Sequence, residues 1–255
     1  MIGVIGAGNM GGALARGWGE PVLATDSGSG RAATLVAELG GEALTDNTAL
    51  IERADIILLA HRPDQLESIA AGSNAQGKLV VSVLGPTPVA AIQRAYPGAT
   101  VVRAMPNTPV EVRRGVTCIA EGGEAGIELF ERVGKVFVLP EPLMGLATAT
   151  IGVMPAYIAL IAEAAIDASV LYGMPLNAAT SMFIETLAGT AELLLKRDGN
   201  TLLVRREVAS PGESTVRGIA ALERNGVRTA FADAMHDVLE RLSRPYEGTP
   251  VLGSH

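Results

Sequence analysis

The chain has 255 residues, of which 48% are hydrophobic and 18% charged, a globular composition that excludes disorder for most of its length. Its 20 basic and 27 acidic side chains give a net charge of −7, which argues against binding to nucleic acid or to an anionic membrane. Cys118 is the single cysteine, so no intramolecular disulfide can form, and no cluster of histidine and cysteine has metal-ligand spacing. These features predict a cytoplasmic protein without a metal site.

The first half of the chain alternates short apolar runs with helical patterns, which predicts βα units on a mostly parallel sheet. Helices are expected at residues 10–18 and 30–39. The expected strands are residues 2–5, 22–25, 56–60, 79–83, 100–103, 117–120 and 136–139. Because the strand patterns stop near Pro140, we expect a first domain at residues 1–142.

The remaining sequence shows helical patterns only, which predicts an all-α second domain at residues 143–246 and a tail at 247–255. The expected helices cover residues 157–172, 175–196, 214–224 and 227–243. The first of them is apolar on nearly all sides, and such a helix must be covered by other protein. Because this domain is too small to cover it alone, we expect a homodimer with intertwined helices.

Residues 143–162 carry no charged side chain and are long enough to cross a bilayer. Gly145, Gly152 and Pro155 interrupt the stretch, and the nearest charges on both sides are acidic rather than basic. A buried helix is therefore favoured over a membrane span. The apolar pattern begins at Ile2, so no signal peptide is expected.

A glycine-rich segment follows the first predicted strand and opens the first predicted helix, as a dinucleotide-binding turn requires. Its residues are Gly6, Ala7, Gly8, Asn9, Met10 and Gly11. Gly6 permits the tight turn, Gly8 lets the backbone approach a pyrophosphate, and Gly11 permits close packing of helix on strand. The helix N-terminus would face the anion.

Asp26 ends the second predicted strand, where a carboxylate can accept hydrogen bonds from the adenosine ribose and disfavour a 2′-phosphate. That position favours NADH. The following Ser27, Ser29 and Arg31, with two glycines, could instead hold a phosphate, which would favour NADPH. The residues leave both cofactors open.

Three further segments have features of ligand-binding loops. Two come at the ends of later strands, where an open α/β sheet gathers ligand contacts: residues 60–63 and residues 103–109. The third, residues 210–215, precedes an amphipathic helix and offers unpaired N–H groups to a carboxylate, although simple helix capping would also explain it.

Together these segments resemble pyrroline-5-carboxylate reductases in order and spacing from residue 1 to about 244, and the Met-Pro-Asn-Thr-Pro and Ser-Pro-Gly motifs are quite specific to that family. The resemblance implies an α/β Rossmann-type N-terminal domain followed by an all-α helical dimerisation domain. It also implies NAD(P)H-dependent reduction of the imino acid 1-pyrroline-5-carboxylate to L-proline, the last step of proline biosynthesis. Some members assemble their dimers into decamers.

The resemblance also implies roles for individual residues. In substrate binding it implies Glu213, Ser214 and Thr215, with the Thr215 hydroxyl near the ring nitrogen as the catalytic group. The cofactor contacts that it implies are Gly6, Ala7, Gly8, Asn9, Met10, Gly11, Asp26, Ser27, Asn47, Ala60, His61, Arg62, Pro63, Met105 and Asn107.

The chain departs from the family pattern at two positions that bear on the substrate. Before Pro155 the family usually has Ser-Gly-Ser-Gly, whereas this chain has residues 151–154 as Ile-Gly-Val-Met and lacks both hydroxyls. Glu213 introduces a carboxylate beside the expected carboxylate site, so we expect its side chain to face away. Two alternatives follow: a reductase of a different cyclic imine, or a dinucleotide-binding regulatory protein without turnover.

Overall fold

The computed structural model describes residues 1–210 and 212–243, so the tail predicted at 247–255 lies outside the described residues. The described residues fall into two compact units. The first comprises Met1–Pro155 and the residues from Val238, and the second comprises Ala156–Asp237.

The first unit is built on an eight-stranded sheet with the order β3-β2-β1-β4-β5-β6-β7-β8. Its strands are β1 (Ile2–Ile5), β2 (Val22–Thr25), β3 (Gly41–Ala43), β4 (Ile56–Leu59), β5 (Leu79–Ser82), β6 (Thr100–Pro106), β7 (Gly115–Ala120) and β8 (Gly134–Leu139). All neighbours are parallel except β6 and β7. The link between those two, a short 3-10 turn at Thr108–Val112, is too short for a parallel crossover. The prediction of a mostly parallel sheet is confirmed.

Helices cover both faces of this sheet, so its central strands are apolar on both sides. The helices of the first unit are α1 (Asn9–Trp18), α2 (Arg31–Leu39), α3 (Asn47–Arg53), α4 (Leu66–Ala70), α5 (Val89–Ala95), α6 (Ile127–Glu131) and α7 (Met144–Ala147). Alternate strand residues enter separate cores: Leu58 belongs to the apolar cluster that contains Trp18 and Phe130, whereas Ile57 belongs to the cluster that contains Leu50. This period of two fixes which side of each strand faces which helix layer.

The segment that follows β8 packs against the sheet. Met144 and Ala147 are buried in a small apolar cluster with Met105 and Cys118. The compact unit that contains the sheet includes these residues up to Pro155. The domain boundary expected near residue 142 stays a prediction. Periodicity marks where strands stop, but it does not reveal which core a following helix joins.

The second unit is helical; α8 begins two residues before it and α12 ends beyond it. The helices of this part of the chain are α8 (Met154–Leu171), α9 (Leu176–Lys196), α10 (Thr201–Val208), α11 (Ser214–Arg224) and α12 (Val227–Ser243). Sequence patterns predicted four of these five and missed α10. The protomer leaves much apolar surface uncovered here: Leu160 is 63% exposed and Leu171 is 80% exposed. Within α8 only Ala162 is buried.

One described segment, Glu141–Leu171, could cross a membrane as judged by its length and composition, and 17% of its most apolar stretch is buried. It contains the stretch for which the sequence favoured a buried helix. In a single protomer that helix is exposed, so its apolar residues need a cover that the protomer itself does not supply.

Candidate dinucleotide site

The glycine turn after β1 has the backbone that its sequence requires. Gly6 has φ of +99°, and a Cβ there would lie 2.7 Å from the backbone of Ala60. A Cβ on Gly11 would lie 2.3 Å from the Gly6 carbonyl oxygen. The N–H groups of Gly6 and Ala7 both donate to the Thr25 carbonyl, at 3.1 Å. Close packing of β1, β2 and β4 therefore depends on the absence of side chains here.

A cavity of about 560 Å³ opens at the carboxyl ends of β1, β2 and β4. The chain leaves β1 toward β2 and β3 on one side of the sheet and returns to β4 on the other, so this is a topological switch point, where open α/β sheets bind ligands. The volume suits a cofactor-sized ligand. The lining residues include Gly6, Ala7, Gly8, Asp26, Ser27, Asn47, Ala60, His61 and Arg62, all expected from the sequence.

The other expected cofactor residues lie outside that lining. Asn9 borders a smaller cavity of about 240 Å³ that shares Ala7, Gly8 and Arg31 with the first. Met10 and Gly11 lie in the first turn of α1, and Pro63 begins a 3-10 turn. Met105 is buried in the apolar cluster, and Asn107 is 8% exposed. The Asn107 side-chain oxygen accepts from the Val116 N–H at 2.8 Å, so it braces β7.

Ser29 and Arg31, which the sequence offered only as a possible phosphate loop, also line the cavity. The lining residues that sequence reasoning missed are Ile5, Thr25, Gln65 and Ile69. The Thr25 hydroxyl donates to the Asn47 side-chain oxygen at 2.7 Å, which orients Asn47 at the start of α3. The Gln65 side-chain oxygen accepts from the Arg62 N–H at 3.4 Å. Two signals could have found these polar residues: Thr25 ends a strand, and Gln65 comes two positions after the expected loop at 60–63.

Asp26 points into its own loop. One carboxylate oxygen accepts from the N–H groups of Gly28 and Ser29, at 2.7 and 3.1 Å. The other accepts from the Ala32 N–H at 2.8 Å and from the Ser29 hydroxyl at 3.2 Å. These donors, with the Ala32 N–H foremost, lower the pKa of Asp26 below its ordinary value. The carboxylate is ionised and serves as a cap for α2.

His61 presents an unpaired acceptor beside the cavity. Its Nδ1 lies 2.8 Å from the Arg62 carbonyl oxygen, which can only accept, so Nδ1 carries the proton. Burial lowers the pKa of His61, and the neutral ring leaves Nε2 as an acceptor. Nε2 is buried and has no partner among the described residues. His61 therefore lines the cavity as a neutral ring with one unsatisfied acceptor.

Acid should destabilise the protein through His61. The pKa of His61 in the folded protein lies below the ordinary value of 6.5, so the unfolded chain takes up this proton first as the pH falls. The contribution of His61 to the unfolding free energy is therefore complete above pH 6.5 and is lost as the pH falls below it. In His61→Gln we expect a smaller loss of unfolding free energy across about pH 8 to 5, measured by urea denaturation at fixed protein concentration. His236→Gln changes an exposed histidine and is the control. An unchanged pH slope in His61→Gln would contradict the assignment.

The expected substrate residues lie in the second unit, at the start of α11. Glu213 is the N-cap residue; its side chain makes no capping hydrogen bond and is exposed. Ser214 and Thr215 occupy the first turn. Simple capping by the Glu213 side chain therefore does not account for this turn. Pro211 lies outside the described residues, and the assignment of Glu213, Ser214 and Thr215 to the substrate stays a prediction.

The glycine turn and the switch-point cavity define a dinucleotide-binding α/β protein, and comparison with known proteins narrows this class. Residues 141–244 match the family model described as pyrroline-5-carboxylate reductase dimerisation. Residues 1–86 match the model described as NADP oxidoreductase, coenzyme F420-dependent. The chain is 33% identical to the pyrroline-5-carboxylate reductase of Methanosarcina acetivorans, over 94% of this chain and 96% of the relative. It is 35% identical to that of a Synechocystis species, over 77% of each. The chain belongs to the pyrroline-5-carboxylate reductase family.

Solved structures agree with this assignment. The pyrroline carboxylate reductase of Plasmodium falciparum, solved with NADP bound, is 25% identical and superposes with a TM-score of 0.82, over 94% of this chain and 96% of that one. The Streptococcus pyogenes enzyme is 22% identical and has a TM-score of 0.84, over 94% and 97%. The predicted fold class, a Rossmann-type domain followed by a helical dimerisation domain, is confirmed. The match at 141–244 also contains the whole apolar segment Glu141–Leu171.

Proposed function

We propose that the protein reduces 1-pyrroline-5-carboxylate to L-proline with NADPH or NADH, the last step of proline biosynthesis. The observation that carries the proposal is the switch-point cavity behind the glycine turn in a chain of this family. A bound nicotinamide cofactor would supply the hydride that this reduction needs. The residues expected to hold it are those that line the cavity, with the backbone of the glycine turn at its pyrophosphate.

The reaction requires little acid–base catalysis from the protein. A cyclic imine that enters as its iminium already carries the proton that the product nitrogen keeps, so no strong base is required. The protein has to hold the carboxylate, orient the imine carbon and exclude water. We assign the carboxylate to the N–H groups at the start of α11, where the helix dipole favours an anion, and place the Thr215 hydroxyl beside the ring nitrogen.

Thr215→Ala should lower kcat by about 10- to 100-fold, because the lost hydroxyl is expected to orient the reacting nitrogen. The dissociation constant for NADPH should not change, since the Thr215 hydroxyl is expected to contact the substrate only. Thr215→Ser keeps the hydroxyl and is the matched control, with most of the activity retained. Steady-state kinetics and a fluorescence titration separate the two effects. A parallel loss of NADPH affinity in Thr215→Ala would remove Thr215 from the substrate site.

A second candidate is a reductase of a neutral cyclic imine. It is favoured by half-buried Val153 and Met154, in a segment where the family usually carries hydroxyl groups at positions 151 and 153. Steady-state kinetics with 1-pyrroline-5-carboxylate and with 1-pyrroline, which lacks the carboxylate, distinguish the two. Our proposal predicts that kcat/KM is about 100-fold higher for the acid, because its carboxylate gains charged hydrogen bonds. Preference for the neutral ring would favour the second candidate, and cofactor binding without oxidation of NAD(P)H would favour a regulatory protein.

We also propose that the working form is a homodimer in which the partner covers α8. The uncovered side chains of Leu160 and Leu171 support this, together with the match to a dimerisation model over the same helices. Free, buried Cys118 fits a cytoplasmic location, where thiols stay reduced. Assembly into decamers and the absence of nucleic-acid and membrane partners stay predictions.

A further inference from the structure

The loop between β2 and α2 holds Asp26 away from the position that its place in the sequence suggests. A carboxylate that reads the adenosine ribose must direct its oxygens at the ribose hydroxyls. Both oxygens of Asp26 already accept two hydrogen bonds each from residues 28–32. Gly28 and Gly30, with φ of +88° and +77°, give the loop the curvature that brings these donors onto Asp26. To reach a ribose, the side chain would have to give up several of these bonds and uncap α2.

Arg31, the first residue of α2, differs from Asp26 because its side chain lies beside the cavity. It borders both the cavity of about 560 Å³ and the adjoining cavity of about 240 Å³. Its Nη1 lies 3.9 Å from the position of a Cβ built on Gly8, so the guanidinium lies beside the glycine turn. The side chain is exposed, and among the described residues no carboxylate lies within ion-pair distance of it.

The neighbouring arginines differ from Arg31 in this respect. Arg16 pairs with Glu38 at 2.6 Å and lies 3.8 Å from Glu111, and Arg62 lies 3.5 Å from Asp64. Arg31 is thus a cation that faces the cavity without a counter-ion in the described chain. A guanidinium binds phosphate through two parallel hydrogen bonds, and Ser27 and Ser29 place hydroxyls on the same cavity wall.

We propose that residues 27–31 form a site for the 2′-phosphate of NADPH, with Arg31 as its principal ligand, and that Asp26 positions this loop instead of reading the ribose. The protein therefore prefers NADPH. This inference rests on the proposed function only in that a nicotinamide dinucleotide occupies the cavity. A guanidinium could bind the cofactor's pyrophosphate as well as its 2′-phosphate, so the test has to distinguish these two groups.

The test is the dissociation constant of each cofactor, measured by fluorescence titration without substrate. In Arg31→Gln we expect NADPH to bind about 10- to 100-fold more weakly, the loss typical of a charged hydrogen-bonded pair, with NADH affinity changed by less than about threefold. The fragment 2′,5′-ADP should lose affinity in the same proportion, and 5′-AMP should not. Arg16→Gln changes a nearby arginine that is already paired, so it should leave the ratio of the two dissociation constants unchanged.

If Arg31→Gln binds NADPH and NADH with equally reduced affinity, Arg31 contacts the pyrophosphate. If neither affinity falls, Arg31 contacts neither phosphate group. Either result would overturn the proposal. Because these titrations need no turnover, failure to reduce 1-pyrroline-5-carboxylate would leave their outcome intact and would count against the proposed function alone.

Asp26→Asn tests the positioning role. The amide oxygen can still accept from the Gly28 and Ser29 N–H groups, while the charge is removed. NADH affinity should stay within about threefold of that of the unchanged protein, as for a residue that does not touch the cofactor. Selective loss of NADH affinity by about tenfold or more, with NADPH affinity kept, would put the carboxylate on the ribose and overturn the assignment.

Discussion

Gly11→Ala should weaken NADPH binding by about 100-fold, because the added methyl group has no room that the surrounding backbone can yield. Its Cβ would lie 2.3 Å from the Gly6 carbonyl oxygen and 3.2 Å from the Val4 side chain. Only a shift of α1 away from β1 relieves that contact, and this shift moves the N–H groups of the turn off the pyrophosphate. A fluorescence titration with NADPH measures the loss, and circular dichroism checks that the variant is folded.

Gly12→Ala is the matched control, one position further along the same helix. Its Cβ would meet only the end of the flexible Arg16 side chain, at 3.2 Å. Alanine also favours a helix interior over glycine by about 1 kcal/mol, so the unfolding free energy should be unchanged or higher. NADPH affinity should match that of the unchanged protein. Wild-type affinity in Gly11→Ala, or an equal loss in Gly12→Ala, would show that the close approach of α1 and β1 does not shape the cofactor site.

Leu160→Glu should dissociate the proposed homodimer, with a rise of about 100-fold or more in its dissociation constant. A charge buried in an apolar interface without a partner costs several kcal/mol. Leu160 is 63% exposed in the protomer and lies in α8, inside the matched dimerisation region. Sedimentation equilibrium measures the molecular mass across protein concentrations. The same measurement on the unchanged protein in the absence of detergent tests the membrane alternative for Glu141–Leu171, which predicts aggregation there.

Val112→Glu is the control for this substitution. Val112 is 69% exposed and apolar, as Leu160 is, but it lies outside residues 141–244. The dimer should survive this change with its dissociation constant unaltered. A dimer that also survives Leu160→Glu would show that the partner does not cover this face of α8.

The elements predicted best from the sequence are those that residues close together in the chain determine. β1 and β2 have the predicted bounds because each is a continuous apolar run bounded by turn residues. β3 was missed since its residues, Gly-Glu-Ala, are exposed and have little strand propensity; it forms because β2 offers it an open edge. α10, with the sequence TLLVRREV, was missed because its apolar stripe is short and is interrupted by charged residues, so no helical periodicity is recognisable.

The residues of the candidate site show the same difference between features determined locally and features determined by tertiary packing. The glycine turn could be predicted because backbone conformation and close packing decide its residues, and both act within a few positions. The direction of Asp26 could not, since it depends on how Gly28 and Gly30 curve the loop and on which N–H groups that curvature presents. The placement of Arg31 beside Gly8 depends on the packing of α2 against the β1–α1 turn, which is tertiary information.

The most direct test of the reductase assignment is the fate of the hydride. NADPH carrying deuterium at both C4 positions of its nicotinamide is incubated with the protein and 1-pyrroline-5-carboxylate, and the product is examined by mass spectrometry. We predict L-proline with one deuterium on ring carbon C5. Proline without deuterium, or deuterated NADPH that remains unoxidised beside intact substrate, would contradict the account.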